Sequence, residues 1–178
     1  MEYTKRTAAV LRRPSVLTIA LSGGVVALLV GIITVVMTLN AEARFRQQAL
    51  LSNNIILTLE RIHLGAVTAE TSQRGYLIHG NKEYLQFYNE GTRELRDNID
   101  EFERMLHGRA TSSQIEQTER LRAMAEVKLS ELDEVMTLYN NGEREAAFDV
   151  FQSGRGLRAM NGIRDIIDLL EREEEGIL

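Results

Sequence analysis

The sequence has no cysteine, and its only proline is Pro14. Without cysteine the chain has no disulfide, no thiolate metal ligand and no cysteine nucleophile. Because Pro14 lies near the start, no proline interrupts a helix in the rest of the chain. Apolar and polar residues do not alternate over any long stretch, so β-strands are hard to place. These absences favour an all-α fold.

The net charge of −5 is unevenly distributed. Residues 1–13 hold four basic side chains and one acidic one, a net of +3, so the remaining residues carry −8. An acidic body repels nucleic-acid phosphates, and no basic stripe reverses this effect. We therefore expect no nucleic-acid partner.

One long stretch is free of charge: the 24 residues Val16–Leu39 are apolar or small. A helix of this length spans a hydrocarbon core of about 30 Å, and it is longer than the apolar region of a cleaved signal peptide. The basic excess before it places the N-terminus in the cytoplasm. We predict a cytoplasmic segment over residues 1–14, a transmembrane helix over 15–40 and an extracytoplasmic domain over 41–178.

Three small residues recur every fourth position in this span, at Gly23, Ala27 and Gly31. They lie on one helix face, where a second membrane helix can approach closely. Ordinary glycine content of membrane helices explains them equally well. They give weak support to a homodimer.

The rest of the chain shows four stripes of core residues at three- and four-residue spacing, typical of amphipathic helices. The first stripe comprises Ile55, Leu59, Ile62, Ala66, Ala69, Gln73 and Tyr76; the second Leu85, Tyr88, Thr92, Leu95, Ile99, Phe102 and Leu106; the third Leu121, Ala125, Leu132, Val135 and Tyr139, widened by Leu129 and Met136; the fourth Ala147, Val150, Ile163, Ile167 and Leu170.

Turn signals separate these helices. Gly80 favours the left-handed conformation that closes a helix, and Asn81 caps the next start. Ser113, with Glu116 three residues later, predicts a capping box for the third helix. Glycines within the fourth stripe, at Gly154 and Gly156, predict a kinked or flexible point there. The expected fold is an up-down-up-down four-helix bundle preceded by one transmembrane helix.

The sequence around the first turn resembles the CHASE family of the third type. The similarity lies in the run ETSQRGYL of residues 70–77, followed by Gly80, Asn81, Glu83, Tyr84 and Leu85. A looser similarity follows at Ser153, Gly154, Gly156, Met160, Ile163 and Arg164. The resemblance covers residues 41–178. It implies a four-helix sensing domain between two membrane helices, with an output module beyond this sequence, and it implies no particular ligand.

Two groups of residues near the first turn are candidate site residues. Glu70, Gln73 and Arg74 form either a polar patch that binds a ligand or sets helix register, or a hydrogen-bonded structural pin. Three tyrosines, which either line a pocket or pack in the core near the tip of the bundle, are Tyr76, Tyr84 and Tyr88.

No residue pattern predicts catalysis, a cofactor or a metal. Glu60 and His63 have the Glu-x-x-His spacing of di-iron bundles, but the chemistry requires a second such motif, which the sequence lacks. We therefore expect neither an enzyme active site nor a metal centre in this chain.

These observations together predict a sensory input domain, anchored in a bacterial inner membrane with its bundle in the periplasm or outside the cell. The expected parent is a sensor histidine kinase, and the expected stimulus is a small molecule or a protein. Two alternatives stay open: the input domain of a chemoreceptor or diguanylate cyclase, and an anchored helical spacer that binds no ligand.

Overall fold

The computed structural model of this chain describes residues 16–176. Within this range the helices are α1 (Val16–His79), α2 (Glu83–Leu106), α3 (Ser112–Asn140), α4 (Arg144–Gln152) and α5 (Arg155–Glu175), and no described residue lies in a strand. The chain forms two compact units, which divide between Gln47 and Gln48.

The first unit contains the apolar part of α1. Among residues 16–176, α1 is the one helix long and apolar enough to cross a membrane, judged by length and composition. The hydroxyl of Thr34 donates to the Val30 carbonyl at 2.9 Å, so this polar group is satisfied within its own helix. Ala27 is exposed and Gly31 has open space around it. The basic segment 1–14 and the surroundings of Gly23 lie outside the described residues.

The second unit is a bundle of four helical passes: α1 from Gln48 onward, α2, α3, and α4 together with α5, which we call the fourth pass. The contacts between α1 and α3 set the topology. Gln73 contacts Leu132, and Tyr76 contacts Tyr139 seven residues further along α3. Residue numbers rise together on both helices, so α3 runs parallel to α1.

The fourth pass runs in the opposite direction. Ser52, near the start of the bundle part of α1, contacts Glu174 at the end of α5. The connections between successive helices are short, as in an up-down-up-down arrangement. The predicted fold class is confirmed.

The core consists of residues from all four passes, mostly those on the predicted stripes. Burial of such side chains stabilises a bundle by about 1.5–3 kcal/mol for each large apolar residue. Its buried members are Ile55, Leu59, Ile62, Ala66, Leu95, Ile99, Phe102, Leu106, Leu121, Ala125, Leu129, Ile163, Ile166, Ile167 and Leu170.

Helices α1 and α2 approach each other through two glycines. A Cβ atom added to Gly91 would lie 2.6 Å from the backbone nitrogen of Ala69, and one added to Gly65 would lie 2.8 Å from that of Leu95. Both distances are shorter than any real Cβ contact. The two backbones therefore touch at a point where only glycine fits.

The predicted capping box at Ser113 is wrong, because the structure places it two residues earlier. The hydroxyl of Thr111 accepts from the Gln114 amide nitrogen at 3.1 Å, and the Gln114 side chain accepts from the Thr111 nitrogen at 2.9 Å. Both residue pairs have the required spacing. Ser113 is recruited elsewhere: its hydroxyl donates to Glu173 at 2.7 Å.

The other helix ends lie close to the predicted turns. Gly80 has a left-handed backbone with φ of 65°, and its nitrogen donates to the Tyr76 carbonyl. The Asn81 side chain accepts from the Glu83 nitrogen at 3.0 Å, at the first residue of α2. The fourth pass breaks at Gly154, whose φ of 71° separates α4 from α5.

Candidate functional site: two buried polar clusters

The first polar cluster, which we call the Lys128 cluster, joins α1 to α3. The ammonium of Lys128 lies 2.9 Å from Glu131 and 3.2 Å from Glu70. Glu70 also pairs with Arg74 one turn further along α1. The Lys128 and Glu131 side chains are each only 2% exposed. Buried charges of this kind persist only when they are paired, so this ammonium and its carboxylates depend on each other.

Gln73 extends the same cluster. Its side-chain nitrogen donates to the backbone carbonyl of Leu132 at 2.8 Å. Its side-chain oxygen is buried and has no hydrogen-bond partner among the described residues. The amide therefore fixes α1 against α3 while leaving one acceptor unsatisfied, which costs stability.

The fourth pass packs against this cluster at Gly156. A Cβ atom added there would lie 2.5 Å from a carboxylate oxygen of Glu131 and 2.8 Å from the Lys128 ammonium. The guanidinium of Arg74 lies 5.5 Å from the ring centre of Phe151, on the other side of the helix break. Three passes thus meet at one set of charges.

The second polar cluster, which we call the Glu174 cluster, lies at the other end of α5. Glu174 is 2% exposed and accepts from the Ser52 hydroxyl at 2.9 Å and from the Gln114 side chain at 2.8 Å. Arg109 is its nearest cation, at 4.0 Å. The carboxylate also lies at the N-terminal end of α3, where a negative charge is favoured. It connects α1, α3 and α5.

A cleft lies beside the Glu174 cluster, at the turn between α2 and α3. Its volume is about 420 Å³, and its walls include Leu106, Ala110 and Ile115 together with the guanidinium-bearing Arg109. The guanidinium of Arg109 makes no closer polar contact within residues 16–176 than its 4.0 Å approach to Glu174. The cleft is therefore suited to a small ligand with an apolar part and an acceptor group.

The three candidate tyrosines face different neighbours. The Tyr76 ring meets Tyr139 edge-on at 5.6 Å, and its hydroxyl donates to Asn140. Tyr84 stacks on His79 at 6.0 Å and covers Gly75.

Tyr88 lies closer to acidic groups of α3. Burial, and secondly the negative charge of Asp133, raise the pKa of Tyr88 to about 12. Arg96 opposes this effect and Glu131 adds to it. Glu131 of the Lys128 cluster is thus the smallest of the effects on this tyrosine of α2.

Sequence reasoning identified Glu70, Gln73 and Arg74 of the Lys128 cluster as a polar group, but it missed their partners Lys128 and Glu131 and, in the second cluster, Glu174. Between Ala125 and Leu132 of the third stripe, Lys128 stands beside Leu129 at the spacing of three and four residues that marks a buried face. Likewise Glu174 continues the spacing of Ile167 and Leu170. A charged residue on an apolar stripe indicates a buried polar contact, provided that a partner exists.

No described group of three His, Asp or Glu side chains is arranged to hold a metal ion. The clusters consist of hydrogen-bonded and paired charges that join different helices.

Comparison with known proteins identifies the bundle. The family model of the CHASE3 domain matches residues 45–178. The crystal structure of the sensor domain of the histidine kinase HK9 from Rhodopseudomonas palustris superposes with a TM-score of 0.64 at 25% identity, covering 70% of this chain and 96% of that one. A search of the curated proteins found no match. The bundle is therefore a sensory input domain of a receptor, and the chain belongs to the CHASE3 domain family.

Proposed function

We propose that this chain is the membrane-anchored, N-terminal part of a bacterial sensor histidine kinase. Residues 41–178 would lie outside the inner membrane, with the N-terminus in the cytoplasm and no catalytic group in this part of the receptor. The observation that carries the proposal is the match of the bundle, by family and by fold, to sensor domains, one of which belongs to a histidine kinase. The apolar part of α1 supports the anchor.

The signal is a small displacement of the fourth pass relative to α1. Helix α5 of the fourth pass meets polar groups at both its ends, at Gly156 and at Glu174, and polar contacts have discrete partners. A packed interface of this kind exchanges one arrangement for another and does not deform continuously. The unsatisfied side-chain oxygen of Gln73 can accept a hydrogen bond in a second arrangement of the helices.

The stimulus is a small molecule or a protein that binds the two arrangements with different affinity, since only differential affinity shifts such an equilibrium. The cleft beside Arg109 is the proposed site for a small molecule. A ligand that binds Arg109 there weakens its attraction for Glu174, and thereby the hold on the end of α5.

A fusion protein tests this function. Residues 1–178 are joined to the second membrane helix and the cytoplasmic kinase portion of a receptor whose own input domain has been removed, and autophosphorylation is measured in membrane vesicles. Glu174→Gln and Gly156→Ala are expected to change phosphorylation by about fivefold or more, the usual size of such coupling. Arg93→Ala, which removes an exposed ion pair with Asp97, serves as the matched control.

Two results would contradict the proposal. The first is equal phosphorylation in the wild type and all variants at equal protein abundance. The second is protection of the bundle from protease added outside sealed spheroplasts under conditions that unfold the bundle. An unfolded extracytoplasmic domain is accessible to that protease and must be cleaved.

A further inference from the structure

The cleft at the turn between α2 and α3 contains a cation whose side chain donates no hydrogen bond. Arg109 is the one arginine or lysine among the lining residues that the structure describes. A guanidinium has several N–H donors. None of those of Arg109 reaches an acceptor within hydrogen-bond distance among residues 16–176, and the side chain is 33% exposed. These donors are therefore available to a ligand in the cleft.

The carboxylate nearest to this cation has other hydrogen-bond donors. Glu174 accepts from the Ser52 hydroxyl at 2.9 Å and from the Gln114 side chain at 2.8 Å. Arg109 stays 4.0 Å from the same carboxylate, which is too far for a hydrogen bond. A ligand carboxylate can therefore form a charge-assisted pair with the guanidinium while Glu174 keeps both of its hydrogen bonds.

The walls beside Arg109 are apolar. Leu106 is the last residue of α2, Ile115 lies in the first turn of α3, and Ala110 lies in the connection between them. Ile115 is 51% exposed, so an apolar group that fills the cleft removes part of its side chain from water, which favours binding. The volume of about 420 Å³ is near the lower end of the range for ligand pockets. A short apolar body fits this space.

Acidic side chains line the rest of the cleft. Glu103, one turn before the end of α2, accepts from Arg122 at 2.5 Å, so a cation already offsets its charge. Glu119, one turn after Ile115 on α3, is exposed and has no ion-pair or hydrogen-bond partner within the described part of the chain. A second negative charge on the ligand would be repelled by Glu119, and such repulsion gives specificity. The cleft therefore favours a ligand with a single carboxylate.

We propose that this cleft binds a monocarboxylate with a short apolar body. The carboxylate pairs with Arg109, and the body lies against Leu106 and Ile115. The inference rests on the proposed function, since it names the ligand class of the cleft proposed there as the stimulus site. The ligand and Glu174 then compete for one guanidinium. Because such coupling is reciprocal, removal of the Glu174 charge must strengthen ligand binding.

Titration calorimetry tests the ligand class with three six-carbon probes. The full chain is placed in lipid nanodiscs, and the heat from empty nanodiscs is subtracted. Hexanoate has one carboxylate, hexanamide has the same chain without the charge, and adipate has a carboxylate at each end. Hexanoate is expected to bind with a Kd of about 1 mM or below, an ordinary affinity for so small a ligand. Hexanamide and adipate should bind about tenfold more weakly or less.

Substitutions test the residues named in the proposal. Arg109→Gln should weaken hexanoate binding about tenfold or more, because charge-assisted hydrogen bonds are lost. Ile115→Ser should weaken it about three- to tenfold by removing an apolar wall. Glu174→Gln should strengthen it about three- to tenfold, because the guanidinium loses its competing carboxylate. The matched control is Arg104→Gln, which removes an exposed arginine paired with Glu101 and should leave hexanoate binding unchanged.

Four outcomes overturn the proposal: no binding of hexanoate at about 10 mM, binding of hexanamide or adipate as tight as that of hexanoate, an unchanged affinity for hexanoate in Arg109→Gln, or a weaker affinity in a folded Glu174→Gln. Circular dichroism checks that each variant is folded. If Glu174→Gln does not fold, Arg109→Gln and Ile115→Ser decide, because both side chains are partly exposed.

The sensor function is tested separately by the kinase fusion. A fusion that responds to Glu174→Gln, in a chain that binds no hexanoate, rejects this ligand class and leaves the sensor function standing. A chain that binds hexanoate as expected, in a fusion that no variant affects, rejects the sensor function and leaves the ligand site standing.

Discussion

At the scale of single residues, the distinctive feature of this bundle is charge where the helical spacing calls for apolar side chains. Lys128 and Glu174 each continue an apolar stripe, and each is buried with polar partners from another helix. Their position on the buried face of their helices could be predicted from the sequence. Their partners could not, because Glu70 and Ser52 reach them only once the axial register between distant helices is set.

Removal of the Lys128 charge should destabilise the bundle strongly. Lys128→Met leaves Glu131 buried and unpaired, and we expect a loss of about 3–5 kcal/mol in the free energy of unfolding. Denaturant unfolding measures this loss. The double variant Lys128→Met with Glu131→Leu should lose less than the single variant, because no buried charge remains unpaired.

The exposed Arg93–Asp97 pair provides the comparison. Arg93→Ala should cost less than about 1 kcal/mol. If Lys128→Met costs no more than Arg93→Ala, the ammonium is not buried among carboxylates.

Tyr88 should make the stability depend on pH in the alkaline range. Its pKa is about 12 in the folded chain against 10.0 ordinarily, so the unfolded chain releases this proton first as the pH rises. Stability from this group is complete below pH 10 and falls between about pH 10 and 12. Unfolding midpoints over pH 9–12 should therefore decline more steeply in the wild type than in Tyr88→Phe. Parallel declines would show that Tyr88 ionises normally.

At the scale of the helices, the sequence predicted the positions of the four passes more accurately than the N-terminal cap of α3. The turn glycine Gly80 and the three- and four-residue spacings follow from local geometry, which needs no tertiary information. At the start of α3, two residues have the spacing of a capping box, Thr111 and Ser113. A contact with Glu173 at the far end of the chain removes Ser113 from capping, and no local pattern reports that contact.

The glycine contact between α1 and α2 yields a test at this scale. Alanine is favoured over glycine within a helix by about 1 kcal/mol. At Gly91, however, the added carbon meets the backbone of Ala69 and Gly65, which cannot move independently of α1. We expect Gly91→Ala to lower the melting temperature, corresponding to a net loss of about 1 kcal/mol or more. The control is Glu90→Ala at the neighbouring exposed residue, which should change the melting temperature little. A higher melting temperature in Gly91→Ala would argue against the close approach of α1 and α2.

At the scale of the whole molecule, the four-pass bundle followed from the sequence because each stripe marks a buried face directly. Ile55 and Leu170 delimit the core in sequence, so the apolar core lies wholly within the second unit.

A core confined to the second unit predicts independent folding. A fragment of residues 48–178 should be helical by circular dichroism and unfold in one cooperative transition. Its midpoint should match that of the bundle in the detergent-solubilised full chain within about 4 °C, the shift that about 1 kcal/mol produces in a domain of this size. A gradual transition with dye-binding apolar surface would show that the bundle needs the anchoring segment.

The left-handed residue at Gly154 has a further consequence for how this receptor can diversify. A continuous helix transmits every insertion or deletion as a rotation of about 100° per residue to all that follows. Because α4 and α5 are separate helices, a change in the length of α4 is absorbed at Gly154 and does not rotate the Glu174 end of α5. The nine residues of α4 can therefore vary in length, provided that the buried position of Ala147 is kept, while α5 keeps its orientation.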